Sequence, residues 1–192
     1  MNFIAKFKFL QKKRPVIIIT GERRKIISKV ISNLLKNTLK FGEDFLIFES
    51  KFKDIKNLEL FLRTSKKPVL VVSGIENVSE KEFTTISGFI KSLPEKTNLI
   101  LSSDDEMVKK MGYFSNLNTL SFGFQESADF RVSDIKSNGG TNFKVNYQGT
   151  VIPFWLKKIA QREEISSVVC AALVATIFGL NLVEISQALK QD

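Results

Sequence analysis

At 192 residues and 43% hydrophobic content, the chain has the material for one domain with a sizeable core. It contains no histidine and a single cysteine, Cys170, which excludes a Ser-His-Asp triad, a histidine-based zinc site, an internal disulfide and a dithiol redox pair. The net charge of +9 is local: residues 1–40 hold eleven Lys or Arg and one acidic residue, Glu22, while the rest of the chain carries eighteen basic and nineteen acidic side chains.

In chain order, the first element is a basic, aromatic segment, residues 1–14, in which Phe3, Ile4, Phe7, Phe9 and Leu10 alternate with Lys6, Lys8, Lys12, Lys13 and Arg14. The pattern suits an anionic membrane surface, or a lead-in whose aromatics cover an apolar face of the domain. It has neither the uninterrupted apolar stretch nor the small-residue cleavage site of a secretion signal, so a cytoplasmic, at most membrane-peripheral, protein is expected. No strand spaces its aromatics as a base-stacking platform, and nucleic acid is not the expected partner.

Residues 15–192 read as a single domain. Val16, Ile17, Ile18 and Ile19 form a β-branched run of the kind that suits a parallel strand buried on both faces, ending at Thr20 and Gly21. From Arg24 the apolar residues fall at Ile26, Ile27, Val30, Ile31, Leu34 and Leu35, the stripe of a helix packed on a sheet, with Ile26 and Ile27 both assigned to the buried side. Strands follow at residues 45–48, 69–72, 99–101 and 117–122, and helices at 54–63, 80–93 and 104–111. This alternation predicts an α/β domain with a mostly parallel, P-loop-type sheet flanked by helices. From Ala128 short alternating strands, separated by Asn138-Gly139-Gly140 and Gln148-Gly149, predict a small antiparallel β element near residues 128–153.

The charge-free stretch at residues 165–183 approaches the length of a membrane span. Its Ser166, Ser167, Thr176 and Asn181, with the Gly179 step, predict instead a buried helix ending near Phe178 and a short amphipathic helix over residues 183–189.

The turn after the first strand, Thr20-Gly21-Glu22-Arg23-Arg24-Lys25-Ile26, lies where a phosphate-binding loop would lie in such a sheet. A working loop needs a glycine just before its lysine, so that the backbone can wrap the phosphates, and a hydroxyl just after it for magnesium. Those positions hold Arg24 and Ile26. Thr20, Gly21, Arg23, Arg24 and Lys25 are therefore the candidate phosphate site, with the arginines supplying charge where the glycine no longer supplies geometry.

Thr20, Gly21 and Lys25 match the loop of the Mur ligases and the related folylpolyglutamate synthases, which runs Thr-Gly-Thr-Asn-Gly-Lys-Thr-Thr. The chain resembles the central, ATP-binding domain of that family over nearly its whole length. Glu49, in Phe48-Glu49-Ser50, stands where the family keeps a magnesium-linked glutamate. Ser102-Ser103-Asp104-Asp105 is similar to its Asn-x-Asp-Asp, and Ser121-Phe122-Gly123 with Ala128-Asp129-Phe130 to its Phe-Gly and Ala-Asp signatures. Residues 171–180 resemble its Ala-rich helix and Leu-Gly-Ile turn.

The departures are Ser73-Gly74-Ile75-Glu76-Asn77-Val78 in place of Thr-Asn-Ile and a histidine, Glu163-Glu164-Ile165-Ser166-Ser167 in place of His-Asn-x-x-Asn, and no counterpart of the family's carbamylated lysine. The family's UDP-substrate domain and its C-terminal amino-acid domain have no counterpart in this sequence. The expectation is a degenerate homologue with no catalytic residue and no cofactor, serving as a binding or scaffold module for a protein partner or for itself as an oligomer. The resemblance also implies an alternative: an ATP-dependent amide ligase domain working through an acyl phosphate with a separate chain, with Lys25 on the γ-phosphate and Glu49 on magnesium. A third reading is attachment to anionic membrane through residues 1–14.

Overall fold

β1 (Val16–Thr20) is buried along its whole length, as a β-branched strand must be when both faces of a parallel sheet are covered. It leads into α1 (Arg24–Leu35) and then β2 (Leu46–Ser50). The computed structural model describes residues 12–112 and 114–191, so most of the basic, aromatic segment and its expected membrane contact lie outside the described residues.

The chain continues through a 3-10 turn (Phe52–Leu58), α2 (Glu59–Thr64), β3 (Pro68–Val72), α3 (Glu80–Lys91), β4 (Asn98–Ser102), α4 (Glu106–Lys110) and β5 (Asn118–Gly123). β6 (Phe130–Ser137), β7 (Thr141–Tyr147) and β8 (Thr150–Leu156) precede α5 (Arg162–Ile177) and α6 (Leu182–Gln191). The strands form one sheet in the order β2-β1-β3-β4-β5-β6-β7-β8. Pairing is parallel from β2 through to β6 and antiparallel in β6–β7 and β7–β8. This is the expected α/β architecture with its antiparallel element.

Two details differ from the sequence expectation. The predicted helix over residues 54–63 is a 3-10 turn followed by the short α2, because Phe52 and Ile55, the buried residues of the turn, recur every three residues rather than at the α-helical period. On α1 the buried stripe is Ile27, Ile31, Leu34 and Leu35; Ile26 lies a hundred degrees round the helix from Ile27 and is 47% exposed.

The sheet separates two cores. Ile17, Ile19, Val69 and Val71 pack with α1 and α5 on one face, while Val16, Ile18, Leu70 and Val72 pack with the 3-10 turn, α2, α3 and α4 on the other. Alternate residues of one strand thus serve opposite cores, as the pleat requires.

α5 is buried at every residue from 165 to 175. The charge-free stretch is therefore a central core helix, and among the described residues no helix is long and apolar enough to cross a membrane. Cys170 lies at its middle, fully buried, and burial alone pushes its thiol far above the ordinary pKa, which keeps it protonated and inert. The helix ends in a Schellman arrangement, with Leu180 N–H donating to Ala175 O, Gly179 N–H to Thr176 O and Gly179 at φ +99°. Asn181 then caps α6 by accepting from Val183 N–H and Glu184 N–H, while Glu184 accepts from Asn181 N–H.

Only two residue pairs, Phe122 with Phe130 and Gly123 with Arg131, join β5 to β6. Asp129 reinforces the seam: its carboxylate accepts from the backbone N–H (2.8 Å) and hydroxyl (2.7 Å) of Ser121, and its own N–H donates to Ser121 Oγ.

Ile31 is the pivot of the α1 stripe and has no solvent exposure. Ile31→Ala is expected to lower unfolding free energy by about 2–5 kcal/mol, read as an earlier urea midpoint with unchanged slope.

Candidate functional site

β1 ends on Thr20, whose carbonyl accepts from both the backbone N–H (3.1 Å) and the hydroxyl (2.6 Å) of Ser73, in the turn after β3. Gly21 follows at φ +110°, and a Cβ built there would sit 2.3 Å from Ser73 Oγ and 2.9 Å from Gly74 N. Only glycine permits so close a crossing of the two turns in that conformation.

These turns meet at a particular place in the sheet. β1 connects to β2 through α1 on one face, whereas β3 connects to β4 through α3 on the other. Between them the connections diverge and leave a crevice at the carboxyl ends of the strands, the switch point at which open α/β sheets bind ligands.

A cavity of about 500 Å³ occupies the crevice. Glu22 and Arg23 line it from the turn after β1, and residues 73–77 from the turn after β3. Ser102, Asp104 and Asp105 come from the end of β4, Phe124 from the end of β5, and Arg162, Glu163 and Ser166 from α5. The lining thus holds five carboxylates, from Glu22, Glu76, Asp104, Asp105 and Glu163, against the guanidiniums of Arg23 and Arg162.

Several of these groups are held by the fold. Asp104 accepts from Phe124 N–H at 3.0 Å, and Asp105 caps α4 by accepting from Val108 N–H at 2.9 Å. Arg162 lies with its guanidinium carbon 3.8 Å from the Phe124 ring centroid, a cation–π contact. Arg23 and Glu163 approach to 3.9 Å, which sets the first turns of α1 and α5 side by side.

The residues proposed from sequence divide between two surfaces. Arg23 faces the crevice. Arg24 folds back across its own turn, donating from Nη1 to the Gly21 carbonyl at 2.8 Å and standing 3.7 Å from Glu76 Oε1. Lys25, one position on, is exposed and lines a separate groove between α1 and the β8–α5 segment. Glu49 is exposed on the edge strand β2, in register with Ile19, and does not line the crevice. Arg162 and Phe124 were not singled out by sequence; their pairing links α5 to β5 across the fold, and no spacing rule along the chain signals it.

No family model matches this sequence, and no curated protein sequence matches it. Solved structures do. MurF from Acinetobacter baumannii is similar at a TM-score of 0.73 and 12% identity, over 97% of this chain and 47% of its own. The fold is Mur-ligase-like. MurF ligase from Thermotoga maritima in complex with ADP gives 0.72 and 16% identity, over 95% of this chain and 51% of its own. The UDP-N-acetylmuramate:L-alanyl-gamma-D-glutamyl-meso-diaminopimelate ligase from Neisseria meningitides gives 0.75 and 10% identity, over 97% of this chain and 68% of its own. The chain spans about half the length of either MurF.

Gly21→Ala combines left-handed strain with a clash against Ser73 and is expected to cost roughly 2–4 kcal/mol. Gly179→Ala, also at positive φ but with no atom within 4 Å of the added methyl, should cost only about 1–2 kcal/mol. Paired denaturant titrations check both; equal losses would contradict the crossing of the two turns.

Proposed function

We propose that this chain is a Mur-ligase-type central domain whose nucleotide crevice has been rebuilt, and that it acts as a non-catalytic binding or scaffold module for a protein partner or a second copy of itself. The observation that carries this reading is Arg24. A phosphate cradle needs backbone amides converging on an open space at the start of the helix. Here the Arg24 guanidinium bonds to the Gly21 carbonyl and stands beside Glu76, so its side chain folds back over the turn.

The charge of the crevice supports the same reading. A triphosphate entering it would meet five carboxylates and two guanidiniums, a balance that repels the ligand unless metal ions offset it. Lys25, which would have to reach the γ-phosphate, lies along the adjoining groove, and Ile26 offers no hydroxyl for magnesium. The residues present fit ATP poorly. Phosphoryl transfer depends on positioning and electrostatic stabilisation, so loss of the cradle removes what the reaction needs.

One observation favours the ligase reading. The Thr20 hydroxyl is buried at the end of β1 with no hydrogen-bond partner, in the loop that shares Gly21 and Lys25 with the family pattern. An orphaned polar group at that point invites a ligand.

Calorimetry with ATP and magnesium separates the two. The proposal expects no saturable heat at millimolar nucleotide and no ATP hydrolysis above background. Saturable, magnesium-dependent binding that Lys25→Ala abolishes would overturn it in favour of a nucleotide-dependent ligase domain.

A further inference from the structure

The groove that takes Lys25 is a second site of a different character. It holds about 570 Å³, within the range of small-molecule pockets, and its walls are largely apolar. Ile26 and Val30 form the α1 bank, Leu156 comes from the end of β8, Val168 from α5 and Leu189 from α6. Ile26 is 47% exposed at its lip, so its side chain is accessible from the groove.

Its polar groups are almost all cationic. Lys25 and Lys29 stand on one bank and Lys157 and Lys158 on the other, against a single carboxylate, Glu164. Glu164 is engaged: Lys158 hydrogen-bonds to it, and it accepts from Gln161 N–H as part of the α5 capping box. These contacts, the Lys158 hydrogen bond first, hold its carboxyl below the usual range, so it stays ionised and paired.

The charges are also placed unevenly. The Arg23–Glu163 contact puts the starts of α1 and α5 side by side, so Lys25, in the first turn of α1, shares one end of the groove with Lys157 and Lys158, which lead into α5. From Lys25 to Asn33 α1 then runs about 12 Å along the groove, past Ile26, Lys29 and Val30. That end carries three lysines against the one carboxylate of Glu164, and beyond it Ile26, Val30, Leu156, Val168 and Leu189 line the groove with Lys29 exposed beside them, a pattern that complements a molecule with an anionic head and an aliphatic tail.

We propose that this groove binds a single-chain aliphatic phosphate, with its head among Lys25, Lys157 and Lys158 and its tail against Ile26, Val30, Leu156 and Val168. The head is assigned as phosphate because lysine is a compact point charge without the planar fork that matches a carboxylate in two-point contact, and several lysines around one head suit its higher charge. The proposal is independent of the crevice reading, since it uses a different surface and none of the crevice lining.

The test is a calorimetric or NMR titration of the full chain with decyl phosphate below its micelle concentration, beside decanoate and decyltrimethylammonium. The expected result is saturable one-to-one binding of decyl phosphate, at least tenfold weaker binding of decyltrimethylammonium, and loss of affinity as salt rises. Ile26→Asp and Lys29→Glu, both at exposed positions and checked for folding by circular dichroism, should each weaken decyl phosphate about tenfold or more. No saturable binding, equal binding of the cationic amphiphile, or indifference to Ile26→Asp would overturn the proposal. Tighter binding of decanoate would overturn the phosphate assignment. A groove that ignores decyl phosphate but binds a glutamate-rich amphipathic peptide, with loss in Ile26→Asp, would overturn it in favour of a protein helix.

Discussion

A helix with no free face organises this molecule. Eleven consecutive buried residues of α5 leave it no amphipathic stripe, so it can exist only where the sheet covers one side and α1 and α6 cover others. That requirement fixes the long stripe of α1, the position of α6 beyond the Gly179 turn, and the apolar identity of the sheet face beneath. It also brings the first turns of α1 and α5 together, and both the crevice and the lysine groove open from that junction. The buried middle of α5 sets the geometry of the surfaces beside it, while its first turn reaches them directly, with Arg162 and Glu163 in the crevice and Glu164 in the groove.

At the junction, one residue step separates two environments. Arg24 turns back to Gly21 and Glu76, while Lys25 points along the groove, because consecutive side chains on a helix diverge by about a hundred degrees. The crevice is then left polar and rich in carboxylates, and the groove apolar and rich in lysines. The two sites differ so completely in lining that they suit ligands of different class, although both draw on the same short turn. In an open α/β sheet of this kind a crevice forms at the switch point, and what it accepts depends on the side chains that line it.

Most of the fold was legible because its signals are local. The β-branched run before Thr20 and the Gly179 step each state their structure in a few residues, and the structure matches them. The 3-10 turn was missed because Ile55, Leu58 and Leu62, within the predicted 54–63 helix, are spaced three and four apart and fit one α-helical stripe. Ile26 was misplaced because a sequence stripe shows which residues are apolar but not how wide a face the neighbours cover. For the site, the sequence pointed to the turn after β1, and the structure places Arg23 on the crevice but Lys25 and Glu49 away from it. It did not indicate that Arg24 and Lys25 would part, nor that Arg162 would stack on Phe124, since both depend on where α5 lies.

The seam between β5 and β6 gives the sheet a property that strand count conceals. With two residue pairs and one Ser121–Asp129 clasp across it, the eight strands are mechanically two plates, a parallel one that carries the crevice and an antiparallel one anchored by its side chains. Backbone hydrogen bonding makes each plate stiff within itself, whereas the line between them is held by two ladder pairs, the Asp129 clasp and the shared core of Phe122, Phe130 and Val132. Because Phe124 follows β5 directly and Arg162 follows the β8 plate, the contact between them straddles that line at the crevice and clamps the two plates together where the cavity opens.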